Sequence, residues 1–211
     1  MTIEIWSDIV CPFCYIGKRK LEKALAQFPQ RDQVEIIWKS FQLDPEAPTQ
    51  GNDYLKQLSE KKGWSLDQTR QITQQVSAMA AGVGLEYHFE NAIAANSMDA
   101  HQLLHLASRM GKQGLAKEAL FDAHFVKGKN IADQQTLLEI GLSIGLDTNE
   151  LKKVLAEKLF TEEIQKEISE AQQLRVSGVP FFVFDRKFAV SGAQDTAVFL
   201  QTLQRTFESG N

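Results

Sequence analysis

The hydrophobic period changes twice along this chain, and each change restricts what can be built around it. Residues 2–10 (TIEIWSDIV) set β-branched Ile3, Ile5, Ile9 and Val10 around Trp6 and predict a strand, which Cys11-Pro12 ends. Cys14, Leu21, Leu25 and Phe28 then recur at helical spacing among lysines and arginines, and Pro29 closes that helix. VEIIWKSF at 34–41 predicts a second strand, and LDPEAPTQGND at 43–53 breaks the pattern with two prolines and a glycine. From about residue 53 to 175 only the helical period is present, punctuated by glycines from Gly63 to Gly145, with no β-rich run. Asn96 and Asp133 have the character of helix-starting caps. The strand period returns at 179–185 (VPFFVFD) and 188–192 (FAVSG). A last amphipathic helix follows from about 195 to 207, with Val198, Phe199, Leu203 and Phe207 on its apolar stripe.

The ends of the chain therefore predict βαβ and ββα, and the middle predicts helix alone. This is an α/β fold carrying an all-helical insertion after its second strand. The boundaries expected are 1–48 and 166–211 for the two halves of the α/β part and 49–165 for the insertion.

At 211 residues the chain is long enough to bury about 70 per cent of its surface without disulfide staples. Its 43% hydrophobic and 24% charged residues fit an ordinary globular protein. A net charge of −4 provides no basic footprint for a phosphate backbone, so nucleic acid is not an expected partner. No apolar run reaches bilayer-spanning length, so no membrane is expected either. The opening MTIEIWSDIV has no basic stretch leading into a long apolar segment, which predicts a cytoplasmic protein.

Only two cysteines occur, Cys11 and Cys14. In a reducing compartment a close pair of this kind points to catalysis or metal binding before structural stapling. The strand-to-helix junction puts Cys11 at the mouth of the first helix and Cys14 one turn on, on the same face. Their β-carbons would lie about 5–6 Å apart, so a disulfide needs only local tightening. Pro12 suits a first helical turn, where its missing amide proton costs nothing. Free amides and the helix dipole at Cys11 predict a sulfur that ionises more easily than free cysteine and acts as nucleophile. Cys14 is then the resolving thiol. Pro12-Phe13 places no cation between the two, which argues for an intermediate or reducing couple rather than a strong oxidant. Asp8 is a candidate proton relay and Lys18 a more distant cation.

A zinc site is the chemical competitor, since Cys-x-x-Cys is half of one and His101 and His105 stand at i, i+4. The whole stretch 15–100 separates the two halves, against about 12–15 residues in a compact finger, and no metal is expected. His88 and His124 have no nucleophile to serve.

The segments SDIVCPFCYIGKRKLE at 7–22, NSMDAHQLL at 96–104, LFDAHF at 120–125 and SGVPFFVFDRKFAVSGAQ at 177–194 resemble the DsbA-like branch of the thioredoxin superfamily. Within it they are most similar to the FrnE-like dithiol-disulfide proteins. The resemblance spans nearly the whole chain and implies a thioredoxin-like fold whose sheet receives the helical insertion. It implies a cis proline at Pro180, after Val179, opposite the cysteine pair. Backbone exposed at Val179 would let an extended substrate add as a strand. Pro12, Phe13, Val179 and Pro180 are accordingly the expected substrate-binding residues, and Tyr15, Phe41 and Phe181 are candidates for an apolar groove with Phe13. Two departures are visible. Phe13 stands where the family usually has tryptophan, and Ile5 stands where other superfamily members bury an acid.

These readings predict a protein disulfide reductase or isomerase that works through a mixed disulfide on Cys11, resolved by Cys14. It would need no cofactor beyond its own redox-active disulfide. Its partners would be disulfide-containing proteins or peptides and a cellular thiol reductant, glutathione among the candidates. The alternatives are a glutathione-dependent transferase or isomerase of the kappa or chromene-carboxylate type, whose members typically have serine where Cys11 stands, and a zinc-binding or holdase module.

Overall fold

The computed structural model describes residues 1–50 and 52–210; Gly51, part of the expected turn segment, lies outside them. The chain forms two compact units, Met1–Leu43 with Glu163–Asn211, and Asp44–Glu162.

In the first unit the order is strand β1 (Thr2–Ser7), helix α1 (Pro12–Ala26) and strand β2 (Glu35–Ser40). The second unit holds β3 (Asn52–Asp53), α2 (Tyr54–Lys62), α3 (Leu66–Ala81), β4 (Ile93–Ala94), α4 (Met98–Arg109), α5 (Gln113–Phe121), α6 (Gln134–Ser143) and α7 (Thr148–Glu157). Helix α8 (Thr161–Gln173), strands β5 (Phe181–Phe184) and β6 (Phe188–Ser191), and helix α9 (Thr196–Glu208) complete the chain. The fold is thus the mixed α/β, thioredoxin-like arrangement with a helical insertion that the periods and the resemblance predict.

Four strands form one sheet in the order β2-β1-β5-β6. β1 runs parallel to β2, with Ile3 opposite Ile36 and Ile5 opposite Trp38. It runs antiparallel to β5, with Ile5 opposite Phe182, and β5 runs antiparallel to β6. Because side chains alternate along a strand, each strand serves both faces of this sheet. Ile3, Ile5, Phe182 and Phe184 face a core completed by Leu21, Ala24 and Phe28 of α1 and Phe199 and Leu203 of α9. Trp6, Phe181 and Val183 face the other side with Ala171 of α8 and Val176. A strand so covered reads as a near-continuous apolar run, which is why FFVF and IEIW were legible.

Strand β1 stops at Ser7, three residues short of the expectation for 2–10. Ile9 is buried within the turn that follows, so its apolar character belongs to packing and not to the strand ladder. The second unit carries a two-residue pairing, Asn52 with Ala94 and Asp53 with Ile93, where no strand is expected. Two residues are too few to impose an alternating period on the sequence. Asp133 caps α6, accepting from Thr136 N at 2.8 Å, whereas the cap position of α4 falls to Ser97, with Asn96 Oδ1 accepting from Met98 N at 2.9 Å. Residues 122–126 continue α5 as a π-helical turn.

Candidate active site

The site begins with how β1 ends. A turn after Ser7 brings Cys11 N to within 3.3 Å of Asp8 O, and Cys11 then occupies the cap of α1 with extended backbone angles of φ −92° and ψ 112°. Pro12 takes the first helical position, and Cys14 N donates to Cys11 O at 3.0 Å as the first turn closes. Both cysteines are free thiols, with Cys11 3% exposed and Cys14 fully buried.

The other half of the site arrives from far along the chain. The Val179–Pro180 peptide bond is cis. Cys11 Sγ donates a hydrogen bond to Val179 O at 3.3 Å. Pro180 is buried and Val179 half-buried, and Gly192 N fastens the turn by donating to Pro180 O at 2.8 Å. The approach of α1 to this turn depends on Gly17. A β-carbon there would lie 3.0 Å from Pro180 Cγ and 3.1 Å from Phe182 Cζ, closer than packed carbons sit. Gly17 is a site residue that sequence reasoning missed. Its signal was a glycine inside a strong amphipathic helix one turn past Cys14.

The ionisation expected for Cys11 is reversed. Its thiol is pushed well above the ordinary cysteine range, first by the hydrogen bond with the Cys14 side chain, then by burial, then by the charges of Cys14 and Asp8. The backbone amide of Cys14 pulls the other way, as the helix-mouth argument requires, and is outweighed. The amides belong to the local helix mouth, whereas the loss of water around a sulfur that is only 3% exposed is imposed by the tertiary fold. Beside it, Asp8 is itself fully buried, its Oδ2 accepting from Leu43 N at 2.7 Å.

The remaining candidates divide. Pro12 is half-buried and Phe13, at 39% exposure, presents its ring to solvent next to Cys11. Tyr15 is buried, with Arg19 over its ring at 4.8 Å and donating to its hydroxyl at 3.1 Å. Phe41 and Phe181 pack into the core around Trp6. Of the four aromatic residues expected to line a groove, Phe13 alone is open, because the other three serve packing. Lys18 pairs with Glu22. His101 is buried in α4 and His105 stacks on Phe160 at 5.6 Å. No group of three or more His, Cys, Asp and Glu side chains suited to a metal occurs among the described residues.

Sequence reasoning also missed an ion-pair cluster on the α8 side of the sheet. Arg186 reaches Glu4 and Glu170, each at 2.7 Å, and Lys39 reaches Glu4 at 3.6 Å and Glu170 at 3.5 Å. A cavity of about 290 Å³ lies there, lined by Glu4, Phe181, Val183, Arg186 and Phe188 among others. Of its charged groups, Glu4 and Arg186 are engaged with one another and Lys187 Nζ donates to Ser209 O at 3.0 Å, and neither cysteine lines it.

A reduced cysteine pair at the mouth of the first helix, hydrogen-bonded to a Val-Pro turn at the head of an antiparallel strand, defines a thioredoxin-like protein. The chain belongs to the DSBA-like thioredoxin domain family, whose model matches residues 2–204. It is similar to the probable DsbA oxidoreductase SCO1869 of Streptomyces coelicolor, with 39% identity and a TM-score of 0.94 over 99% of this chain and 90% of that one. The uncharacterized protein YwbO of Bacillus subtilis (strain 168) is 27% identical, over 93% of this chain and 92% of that protein. The cytosolic disulfide reductase DsbM of Pseudomonas aeruginosa, solved with GSH, shares the fold at a TM-score of 0.69 and 16% identity, covering 99% of this chain and 100% of that one. No helix among the described residues is long and apolar enough to cross a membrane.

Proposed function

We propose that this protein is a FrnE-like dithiol-disulfide oxidoreductase that reduces or isomerises disulfides in proteins or peptides within a reducing, cytoplasmic setting. The observation that carries the reading is the hydrogen bond from Cys11 Sγ to Val179 O, which sets the reacting sulfur against backbone where an extended substrate would lie. Cys11 loses its proton and attacks one sulfur of the substrate disulfide. A mixed disulfide forms, and the substrate's second sulfur leaves and is protonated. Cys14 then attacks Cys11 Sγ, closing the Cys11–Cys14 disulfide and releasing the first substrate sulfur, which is protonated in turn. Two protons and two electrons pass from the pair to the substrate, and a cellular thiol, with glutathione a candidate, restores the dithiol. No metal or organic cofactor takes part.

The raised proton affinity of Cys11 supports the reducing direction. A reduced form that is poor in thiolate is less stabilised, and the couple is correspondingly less oxidising. Phe13, open beside Cys11, and Val179 with Pro180 across from it supply the substrate contacts, with Pro12 shaping the helix mouth.

The test is reduction of insulin with a small thiol as electron source. Wild-type protein accelerates it several-fold over the thiol alone, and Cys11→Ala removes the acceleration. Wild-type protein no faster than the thiol alone contradicts the reading.

A further inference from the structure

The connection between β6 and α9, residues 192–195, is tied to both halves of the site by groups that the exchange steps above leave without a role. On one side Gly192 N donates to Pro180 O at 2.8 Å, so the connection backs the Val179–Pro180 turn. On the other side it lies against α1. A β-carbon at Gly17 would stand 3.6 Å from Ala193 Cβ, and three residues along, on the same helix face, Lys20 Nζ donates to Ala193 O at 3.0 Å. The Lys20 side chain is 22% exposed, whereas Asp195, its second partner at 3.3 Å, is 89% exposed. An ion pair that open to water contributes little, so the part-buried, charge-assisted bond to the Ala193 carbonyl is the one that fixes the ammonium. Within the connection, Gln194 N donates to Gly192 O at 3.0 Å and Gln194 Nε2 to Ser191 O at 2.9 Å, which keeps it compact. Contacts thus run without a break from Lys20 through Ala193 and Gly192 to Pro180. The neighbouring Val179 carbonyl in turn holds Cys11 Sγ at 3.3 Å.

Given the exchange reading of Cys11, we propose that Lys20 is a positioning residue: its ammonium clamps the β6–α9 connection onto α1 and so keeps the Val179–Pro180 turn, where an extended substrate pairs, seated against Cys11. Lys20 touches no reacting atom. It stands on the helix that carries the nucleophile at its mouth, more than two turns further on, so the clamp fixes the turn to the same element that presents the sulfur. Without the clamp the turn is seated in only a fraction of the molecules, and the apparent affinity for a substrate that needs it falls by that fraction. The same loosening uncovers Cys11, which is 3% exposed beneath the Val179 carbonyl. The two effects have opposite signs. A peptide disulfide, which uses the turn, exchanges more slowly, and a reagent that needs only the sulfur reacts faster.

Lys20→Met tests this, because it keeps an unbranched side chain against α1 and removes the donor. With insulin as substrate and a small thiol as electron source, KM rises several-fold and kcat is little changed. Iodoacetamide alkylates reduced Cys11 several-fold faster than in wild-type protein. Lys20→Arg, which retains a charged donor, moves both readouts back toward wild type, and Asp195→Asn, which removes only the exposed ion pair, leaves both where they were. A role confined to stability would lower the melting temperature of Lys20→Met and leave KM in place. An unchanged KM therefore overturns the assignment, as does alkylation at the wild-type rate or a loss that Lys20→Arg does not reverse. When wild-type protein reduces insulin, these outcomes remove the role of Lys20 alone. Wild-type protein no faster than the thiol alone removes the exchange reading and the clamp with it.

Discussion

Cys11 and Val179 are 168 residues apart in sequence and joined by one hydrogen bond, Sγ to carbonyl oxygen at 3.3 Å. The contact ties the helix mouth that follows β1 to the turn that precedes β5, the strand that pairs with β1 in the sheet. The sheet register therefore sets the site. Shifting β5 by one residue against β1 would carry Phe182 and Phe184 out of the α1–α9 core and Val179 away from the sulfur.

Cys11 holds its proton more tightly folded than unfolded, because of its hydrogen bond with Cys14 first and its burial second. That stabilisation is fully present below the ordinary thiol value of about 8.5 and is lost as pH rises through the higher folded value. The melting temperature of the reduced protein should fall more steeply above about pH 8.5 than that of Cys11→Ser. Parallel curves would show that burial of the thiol is not felt in stability.

Gly17→Val tests the fit of α1 against the Val179–Pro180 turn. Even a β-carbon would sit 3.0 Å from Pro180 Cγ, and valine adds two more carbons in the same gap. Overpacking of this kind costs about 2 kcal/mol, or roughly 4–8 °C in melting temperature. The loss should be accompanied by faster alkylation of Cys11 as the turn is pushed back. A variant as stable and as unreactive as wild type would mean that the approach is loose.

Asp133→Ala removes the α6 cap and should cost about 1 kcal/mol by thermal or urea unfolding. Backbone and side-chain hydrogen bonds from Thr136 hold the Asp133 carboxyl below its usual value. Its contribution is therefore present above about pH 4 and disappears as pH falls through the lowered folded value, so the gap between variant and wild type should close in acid.

On the α8 side of the sheet, Glu4→Gln should destabilise by about 1–2 kcal/mol. Glu4 lies between Arg186 at 2.7 Å and Lys39 at 3.6 Å, with its side chain 10% exposed. Glu170 remains within reach of both cations, which limits the loss. Chemical denaturation would register it, and disulfide exchange should be unaffected because neither cysteine adjoins the cluster.

The fold was legible because its two ends carry strand and helix periods strong enough to read singly. Phe181 to Phe184 alternate between two cores, and Leu21, Phe28, Phe199 and Leu203 form helical stripes against one of them. The two-residue strands β3 and β4 were not legible, since pairing of that length rests on backbone hydrogen bonds and leaves no period in the side chains. Within the site, Cys11, Cys14 and Pro12 announced their positions through the strand–helix junction. The ionisation of Cys11 was read with the wrong sign. Helix-mouth amides are local and visible in sequence, whereas burial, the Val179 carbonyl and the buried carboxyl of Asp8 are arranged by the tertiary fold. Gly17 escaped notice for the same reason, because the atoms that need its missing β-carbon lie at Pro180 and Phe182.

The central claim is that Cys11 captures a partner sulfur and Cys14 releases it. Trapping by mass spectrometry tests this most directly: Cys14→Ala should accumulate disulfide-linked partners through Cys11, because the attack that frees them is gone, and Cys11→Ala should accumulate none. Equal capture by the two variants, or capture by neither, would contradict the account.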